Sequence, residues 1–526
     1  MYKENRIRYL IIASVSVLFF FLFNIVNFTT PRLFNSPDET THFVFLIQFA
    51  QSNVLTFSQP YDYGQYSSLV FPRSTVASGS TIVPVGFWGL DVLYGLIAKV
   101  IGSDAIVFVT SLLTLVAGWC FFWLMKKIFF LRVAFWSTIL FFTHPAIWYY
   151  SARSLFPNIP FLSLLLIGAY LLFCRPLSRL HFRLGIADDA VGMVSILLAL
   201  LIRPSEVWWV AVIGLIICGF YRNSFTAARI FLGTIIGVAA LAGYVYITNT
   251  LFPGELISYT ASQSFTVKEW YQFIFPFGLH PKTMALTAWH YGFKLFWWLM
   301  IPTIIGLIHW FRSQRTSPIP NHQLVYIIVT ASVGLFLLLF YGSFHDPLFS
   351  LLSIGVAYTR YFLPIFVFLI PFLVFGFFHI SATLGKKFST IGLAWLMTCI
   401  VLLNVRIVFL GPDGLLAVAD NIIHGAMVRD WTTHNTSSDA LILTDAEDKF
   451  FWPARQVLVK SFHPDILVAT SGLVSQGYPV YYFAPLPKDD ERQDWVFRFT
   501  EVGLEAHFVH SFPPHGLYQL LGLKNN

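Results

Sequence analysis

Long apolar stretches, separated by short polar segments, make up most of the first 410 residues. A helix needs about 20 mostly apolar residues to cross the hydrocarbon core of a bilayer, within a range of about 17–25. About eleven stretches reach or approach this length, and residues 190–203 form the shortest of them. We predict transmembrane helices at approximately residues 9–29, 105–125, 133–150, 157–174, 190–203, 206–221, 229–248, 291–311, 323–341, 361–380 and 388–410.

The positive charges between these stretches predict the orientation of the chain, because cytoplasmic loops are enriched in lysine and arginine. Six groups of lysine and arginine residues lie near the ends of the apolar stretches. With eleven spans and a cytoplasmic N-terminus, all six groups lie on the cytoplasmic side. If the apolar run at residues 83–101 crossed the membrane, every later basic loop would lie on the outer side. The run also contains Pro84 and Asp91. We therefore predict an in-plane or re-entrant helix there, on the outer face. The basic groups are Lys3, Arg6 and Arg8; Lys126, Lys127 and Arg132; Arg175, Arg179 and Arg183; Arg222 and Arg229; Arg312 and Arg315; and Lys386 and Lys387.

Three long segments and the C-terminal region then lie outside the cell membrane. Beyond Gly411 the hydrophobicity falls and apolar residues begin to alternate with polar ones, which is typical of strands. We predict a transmembrane domain at residues 1–410 and a small extracytoplasmic α/β domain at residues 411–526. The outer segments are residues 30–104, 249–290 and 342–360; the predicted strands are 440–444, 456–460, 480–483 and 506–509, with a helix at 495–504.

Composition agrees with a membrane protein and excludes several other classes. Of the 526 residues, 56% are hydrophobic and 11% are charged, whereas soluble domains carry about 25% charged residues. The net charge is +7, but the basic residues are scattered, so we expect no nucleic-acid partner. The four cysteines lie in apolar runs without disulfide or metal spacing. Neither a phosphate-binding loop nor a dinucleotide fingerprint is present, which argues against an ATP-driven pump.

The most distinctive polar motif lies just after the first span, at residues 36–43. It places the adjacent carboxylates Asp38 and Glu39, together with His42, at a membrane interface, where ionisable groups are costly and tend to be functional. Helix capping offers a second explanation, with Ser36 as N-cap and Pro37 in the first turn. The residues alone leave both explanations open.

The order of several motifs resembles the GT-C superfamily of glycosyltransferases, which includes protein O-mannosyltransferases and the aminoarabinose transferases that modify lipid A. The resemblance covers about residues 1–410, and its order is more specific than any single motif. The C-terminal region suggests no family of its own. The matching segments are Asp38-Glu39, the proline-bearing aromatic stretch at residues 83–88, the Pro-to-Tyr-Tyr-Ser segment at residues 144–153, Arg203-Pro204, and Arg360-Tyr361 followed by Pro364.

The resemblance implies roles for the residues of the first motif. Asp38 corresponds to the catalytic carboxylate, which deprotonates the acceptor hydroxyl or amine as it attacks the anomeric carbon of the sugar, with inversion. Glu39 could be a second base, a metal ligand or a charge that favours the start of the helix. His42 lies one turn beyond Asp38 and could orient it or bind a metal, or could simply occupy an amphipathic interface.

The phosphate that leaves in such a reaction needs fixed positive charge, which arginine supplies through paired donors. Arg360 and Arg203 are the candidates, with Arg153 a weaker one and Tyr361 part of the same motif. All three arginines lie at predicted outer ends of spans, against the trend for positive charge. Extension of these side chains to lipid headgroups is the alternative explanation.

One position departs from the family pattern. Many relatives carry an acidic residue in the second outer loop, where this chain has Asn158. The dependence on a divalent cation such as Mg²⁺ or Mn²⁺ therefore stays open, although His280, His290 or the pair His345-Asp346 could substitute as ligands. The acidic cluster at residues 445–448 lacks the spacing of a calcium loop and is better explained as a turn.

These observations predict a mainly α protein, a polytopic helical bundle of GT-C type with a small C-terminal α/β domain. The expected activity is transfer of a hexosyl or pentosyl group from a polyprenyl-phosphate donor to a lipid, glycan or protein acceptor on the extracytoplasmic face of the cell membrane. A transporter or flippase of lipid-linked saccharides would instead place charges along a path through the bilayer, whereas most charges here lie at span ends. A non-enzymatic scaffold would leave the Asp38-Glu39 pair without a task.

Overall fold

The computed structural model describes residues 2–174, 185–222, 226–252, 275–314, 318–344, 352–383, 389–487 and 489–523. The chain forms two compact units, each built from separate parts of the sequence. The helical unit comprises residues 1–28, 107–245 and 267–418, and the mixed unit comprises residues 29–106, 246–266 and 419–526. The first outer segment thus groups with the C-terminal region, whereas the sequence suggested a single boundary near residue 410. That boundary stays a prediction.

Helices dominate the chain, and their bounds follow the apolar stretches closely. The α-helices are α1 (Tyr2–Phe23), α2 (Ile25–Thr29), α3 (Pro37–Ser52), α4 (Gly89–Ile101), α5 (Val109–Ile128), α6 (Leu131–Thr143), α7 (Pro145–Ala152), α8 (Asn158–Cys174), α9 (Gly185–Ile202), α10 (Val207–Phe220), α11 (Ala227–Leu251), α12 (Pro281–Thr287), α13 (Trp297–Ser313), α14 (Asn321–Tyr341), α15 (Ala357–Tyr361), α16 (Leu363–Thr383), α17 (Ser389–Leu410), α18 (Leu415–Asn435), α19 (Asp448–Phe451), α20 (Pro464–Ser475) and α21 (Asp489–Glu501).

Among the described residues, seven helices are long and apolar enough to cross a membrane, or up to eight if the bent pair α9 and α10 counts as one span. The chain is therefore an integral membrane protein, while the predicted count of eleven spans is not confirmed. Four predicted spans differ from simple crossing helices. Helix α8 has only 17 residues, the stretch at 133–150 is divided between α6 and α7, and α9 meets α10 at an angle of 115°.

Pro145 causes the break between α6 and α7, because proline has no backbone N–H and clashes with the preceding turn of a helix. His144 caps the new helix through a bond from the backbone N–H of Ala146 to Nδ1, 3.3 Å long. The buried amide of Asn404 donates to the carbonyl of Thr143 at 2.9 Å and accepts from the indole of Trp298 at 2.9 Å. A carbonyl freed by the break is thus satisfied by a neighbouring helix, as a membrane interior requires.

Helices α13 and α16 approach each other through glycines. A Cβ atom added at Gly306 would lie 1.8 Å from the carbonyl oxygen of Phe372, and one at Gly376 would lie 1.9 Å from that of Pro302. Small residues allow this kind of backbone approach between membrane helices. The two helices therefore pack with their backbones in direct contact.

The mixed unit contains two sheets. A small antiparallel sheet is formed by β1 (Phe57–Ser58), β2 (Thr75–Ser78) and β3 (Thr81–Pro84). The larger sheet has the order β5-β4-β6-β8-β7. Its strands are β4 (Leu441–Thr444), β5 (Gln456–Val459), β6 (Val480–Pro485), β7 (Leu504–Phe512) and β8 (His515–Gly522). Strands β5, β4 and β6 are parallel, and β8 and β7 continue the sheet antiparallel.

The first outer segment belongs to the hydrophobic core of this larger sheet. Tyr63 and Val70 are fully buried among Leu443, Leu458 and Tyr482. The tyrosine hydroxyl of Tyr478 donates to the carbonyl of Asp62 at 2.7 Å. The predicted α/β character of the C-terminal region is confirmed, but its core requires residues from near the start of the chain.

Candidate functional site

Asp38 lies in the first turn of α3, where the sequence predicted a capped helix. Ser36 is the N-cap, and its hydroxyl accepts a 3.3 Å bond from the backbone N–H of Asp38. Pro37 occupies the first helical position, and Glu39 is buried. The capping prediction is confirmed. A carboxylate in this turn is favoured by the partial positive charge of the helix N-terminus.

The side chain of Asp38 is held by Ser74, the residue just before β2. The hydroxyl of Ser74 donates to Oδ1 of Asp38 at 2.6 Å. Ser74 has a φ of 61°, a left-handed conformation that is costly for a residue other than glycine and that is often found at functional sites. Asp38 therefore keeps a fixed hydrogen-bond partner while remaining partly exposed.

His42, one turn further along α3, is paired with a carboxylate that the sequence did not identify as functional. Its Nδ1 lies 2.6 Å from Oδ1 of Asp91 on α4, and the Asp91 side chain has no exposed surface. Burial raises the pKa of Asp91 above its usual value, and the charge and hydrogen bond of His42 oppose that change. The sequence signal for this residue is an aspartate within the mostly apolar run at residues 83–101, which by itself indicates only that the run does not cross the membrane.

The acidic cluster at residues 445–448 anchors the first outer segment. The carboxylate of Asp448 accepts from the backbone N–H and from Nε of Arg73, both at 2.8 Å, and is itself buried. Asp445 accepts from the backbone N–H of Ser461 at 2.7 Å. These carboxylates thus serve as structural acceptors, in agreement with the turn that the sequence favoured.

In the helical unit, Arg203 is buried beside Glu206. Its guanidinium donates to Oε1 of Glu206 at 2.6 and 2.9 Å and to the hydroxyl of Tyr341 at 2.9 Å. The same Glu206 oxygen accepts from Tyr341 at 2.6 Å. A buried guanidinium neutralised in this way contributes less net positive charge to an anion than the sequence suggested.

Arg153 and Arg360 converge on one aromatic ring. Their guanidinium carbons lie 5.1 and 4.9 Å from the centre of the Phe156 ring. Arg153 also donates to the hydroxyl of Tyr149 at 2.9 Å. Contact with one aromatic ring holds two positively charged groups in one region, which favours an anionic group nearby.

Tyr361 connects these arginines with the Arg203 group. Its ring is stacked on that of Tyr341 with centres 4.4 Å apart and an interplanar angle of 13°. The guanidiniums of Arg203 and Arg360 lie 5.6 and 5.4 Å from the ring of Tyr361. The four predicted residues of the helical unit therefore form one continuous group of contacts.

Asn158, which the sequence marks only as a departure from the family pattern, also belongs to this group of contacts. The amide is buried and donates to the carbonyl of Arg360 at 3.1 Å. Its Oδ1 is buried and accepts no hydrogen bond from the described part of the chain. An ionised aspartate at this position could not make the same donation, since it has no hydrogen to give.

The described residues do not fit a metal centre. Nowhere among them do three or more His, Cys, Asp or Glu side chains come together in a way that could hold an ion. His280 is the N-cap residue of α12, and its backbone N–H donates to the hydroxyl of Ser343 at 3.0 Å. The pair His345-Asp346 lies outside the described residues, so the divalent cation stays a prediction.

Comparison with known proteins gives a fold but no sequence family. No family model and no curated protein matches the chain. ArnT from Cupriavidus metallidurans bound to undecaprenyl phosphate is 11% identical, with a TM-score of 0.54 over 97% of both chains. The apo state of the same protein has a TM-score of 0.52 over the same shares. An oligosaccharyltransferase from Archaeoglobus fulgidus, tethered to an acceptor peptide with an NVT sequon, has a TM-score of 0.49 over 97% of this chain and 73% of its own, at 11% identity.

The similarity to ArnT extends over nearly the whole chain, including the parts of the sequence that form each of the two units. At this level of identity it establishes architecture. The chain has the fold of ArnT, in agreement with the type of fold that the sequence resemblance predicted.

Proposed function

We propose that the chain is a glycosyltransferase that moves a sugar from a polyprenyl-phosphate donor to an acceptor hydroxyl or amine on the extracytoplasmic face, with inversion. The observation that carries the proposal is the position of Asp38, a partly exposed carboxylate held by Ser74 in the first turn of α3. A general base must be fixed in place and still reachable by its substrate, and Asp38 satisfies both conditions. The GT-C fold supports the same reaction class by analogy.

Asp38 removes the proton of the acceptor as its oxygen or nitrogen attacks the anomeric carbon. Arg153 and Arg360 bind the phosphate that leaves, and this role is supported by the position of both guanidiniums beside the Phe156 ring. Arg203 has a more indirect role: its charge is neutralised by Glu206, so it positions Tyr341 and Tyr361. Glu39 is buried, which suits a structural charge better than a second base.

The test is sugar transfer from a panel of radiolabelled polyprenyl-phosphate sugars, by purified protein in lipid nanodiscs with a crude membrane acceptor fraction. We expect wild-type turnover and a loss of at least 10²-fold in Asp38→Asn, in the range that a positioned base contributes. Asp104→Asn is the matched control, since Asp104 is exposed in the same outer segment. Equal activity of Asp38→Asn and wild type would refute the assignment of the base.

The phosphate-binding role has its own control. Arg360→Lys keeps the charge but loses paired donors and ring stacking, so we expect the KM for the donor to rise about tenfold with a smaller change in kcat. Arg132 also stacks on a phenylalanine, with its guanidinium 4.5 Å from the ring of Phe378, and lies at a predicted cytoplasmic end. Arg132→Lys should leave the KM unchanged, and an equal effect of the two substitutions would contradict a specific phosphate site.

A further inference from the structure

The pair of His42 and Asp91 lies between two helices whose packing is tightly determined. A Cβ atom added at Gly95 of α4 would lie 2.6 Å from the ring of Phe49 and 2.9 Å from the carbonyl of Leu46, both on α3. Only a glycine therefore permits this approach of α3 and α4. The separation of the histidine and the aspartate is set by the backbone and not by flexible side chains.

Asp91 is a costly residue at this position. Its carboxyl group has no exposed surface, and Oδ2 accepts no hydrogen bond from any described residue. An isolated buried carboxylate costs several kcal/mol, and replacing a buried ion pair with apolar residues is often neutral or stabilising. Helix packing alone would be served as well by an apolar side chain, so stability does not explain the pair.

His42 is placed to act together with Asp38. The two residues are four positions apart on α3, which puts their side chains on the same face of the helix. Asp38 is fixed from one side by Ser74 at 2.6 Å, and His42 is fixed by Asp91 at 2.6 Å. Since Nδ1 of His42 is bound to Asp91, proton exchange with any other group must use Nε2.

We propose that Asp91 is a positioning residue for sugar transfer, holding His42 in one tautomer and one orientation so that His42 receives the proton that Asp38 removes from the acceptor. This inference rests on the proposed function. It adds a route for the proton and assigns a task to a residue that the family resemblance did not include.

The proposed step is balanced. The acceptor O–H or N–H bond breaks as its heteroatom bonds to the anomeric carbon, and the bond from that carbon to the phosphate oxygen breaks with both electrons leaving on the phosphate. The proton passes from the acceptor to Asp38, then to Nε2 of His42, and finally to water. Asp91 stabilises the imidazolium that forms in between, as a carboxylate does in other carboxylate–histidine pairs.

The experiment measures kcat and KM for Asp91→Asn, His42→Asn, the double variant and wild type in the transfer assay. Asparagine at position 42 retains an N–H donor near the place of Nδ1 but cannot accept a proton, so it separates hydrogen bonding from proton transfer. We expect each single variant to lose about 10²-fold in kcat, with KM changing less than about twofold. The double variant should be no slower than His42→Asn alone, because the two residues act as a unit.

Two further variants make the outcome decisive. Asp91→Glu keeps the carboxylate and should recover part of the lost kcat, while Asp465→Asn alters an exposed His–Asp pair, 3.6 Å apart, and should match wild type. Wild-type kcat in His42→Asn or in Asp91→Asn would overturn the inference while the proposed function stands. Absence of turnover by wild type with every donor would overturn both.

Discussion

The arginines of the helical unit differ in the contacts that the described residues make with them. Arg203 is bound to Glu206 and Tyr341 within a buried group, whereas Arg153 and Arg360 share the ring of Phe156. Residue type and position suggested the same role for all three. The described partners of each guanidinium depend on the fold, and the ion pair with Glu206 distinguishes Arg203 from the two arginines that share a ring.

Asn158 allows a direct test of this anion site. Asn158→Asp places a negative charge beside Arg360 and removes the 3.1 Å bond to its carbonyl, so donor phosphate should bind less well. We expect the donor KM to rise about tenfold, equivalent to about 1.4 kcal/mol, which is typical of one buried hydrogen bond. A KM at or below that of wild type would show that the acidic residue of the relatives is compatible with this site.

Single residues also show which contacts could be predicted from the sequence and which could not. The Ser36 cap was predictable because its chemistry is local to the chain. The partner of His42 was not, since Asp91 is 49 residues away in sequence and only the packing of α3 on α4 brings it near. Glu206 was a missed local signal, because a residue three positions after Arg203 can pair with it directly.

At the level of elements, the length of the apolar stretches predicted where the helices lie but did not predict where they are interrupted. Each of the eleven predicted stretches overlaps at least one observed helix. Hydropathy does not show whether a proline ends a helix, and the break at Pro145 is permitted by Asn404 from a distant helix. The prediction of the C-terminal sheet lacked β8. Buried and more exposed positions alternate along β8 only in part, so the sequence pattern of a half-buried strand is weak there.

The contact of α13 with α16 predicts a large effect of one methyl group. Gly306→Ala would place Cβ 1.8 Å from the carbonyl of Phe372, so the helices must separate. We expect a loss of roughly 3 kcal/mol of stability, at the upper end of overpacking effects, measured by thermal unfolding in detergent.

Gly237 on α11 is the matched control, because an added Cβ there meets no atom within 4 Å. Gly237→Ala should be neutral or slightly stabilising, since alanine favours a helix over glycine by up to about 1 kcal/mol. Equal unfolding temperatures for the two alanine variants would contradict direct backbone contact between α13 and α16.

On the scale of the whole molecule, the compact units are not continuous in sequence. The mixed unit joins residues 29–106 with residues 419–526, and Arg73 and Asp448 link these two parts by two 2.8 Å bonds. A domain boundary placed near residue 411, where hydrophobicity falls, could not show this, because it divides the chain at a single point.

Loss of that link should loosen the first outer segment. In Asp448→Ala the backbone N–H and guanidinium of Arg73 lose their acceptor, so we expect about 2 kcal/mol less stability, typical of bonds to a charged group, and faster proteolysis within residues 53–74. Asp465→Ala removes an exposed carboxylate and serves as control. Identical cleavage rates in both variants would refute the anchoring role of Asp448.

Because the mixed unit is discontinuous in sequence, its parts are synthesised at different times. A ribosome adds roughly 310 residues between Ile106, where the first part ends, and Ala419, where the C-terminal part begins, which takes roughly 15–60 s at the usual elongation rates. Throughout that interval Tyr63 and Val70 have not met their partners on the later strands. The nascent first outer segment therefore depends on a chaperone or a lipid surface to keep its apolar side chains from premature association. This dependence lasts until the strands of the larger sheet have been synthesised.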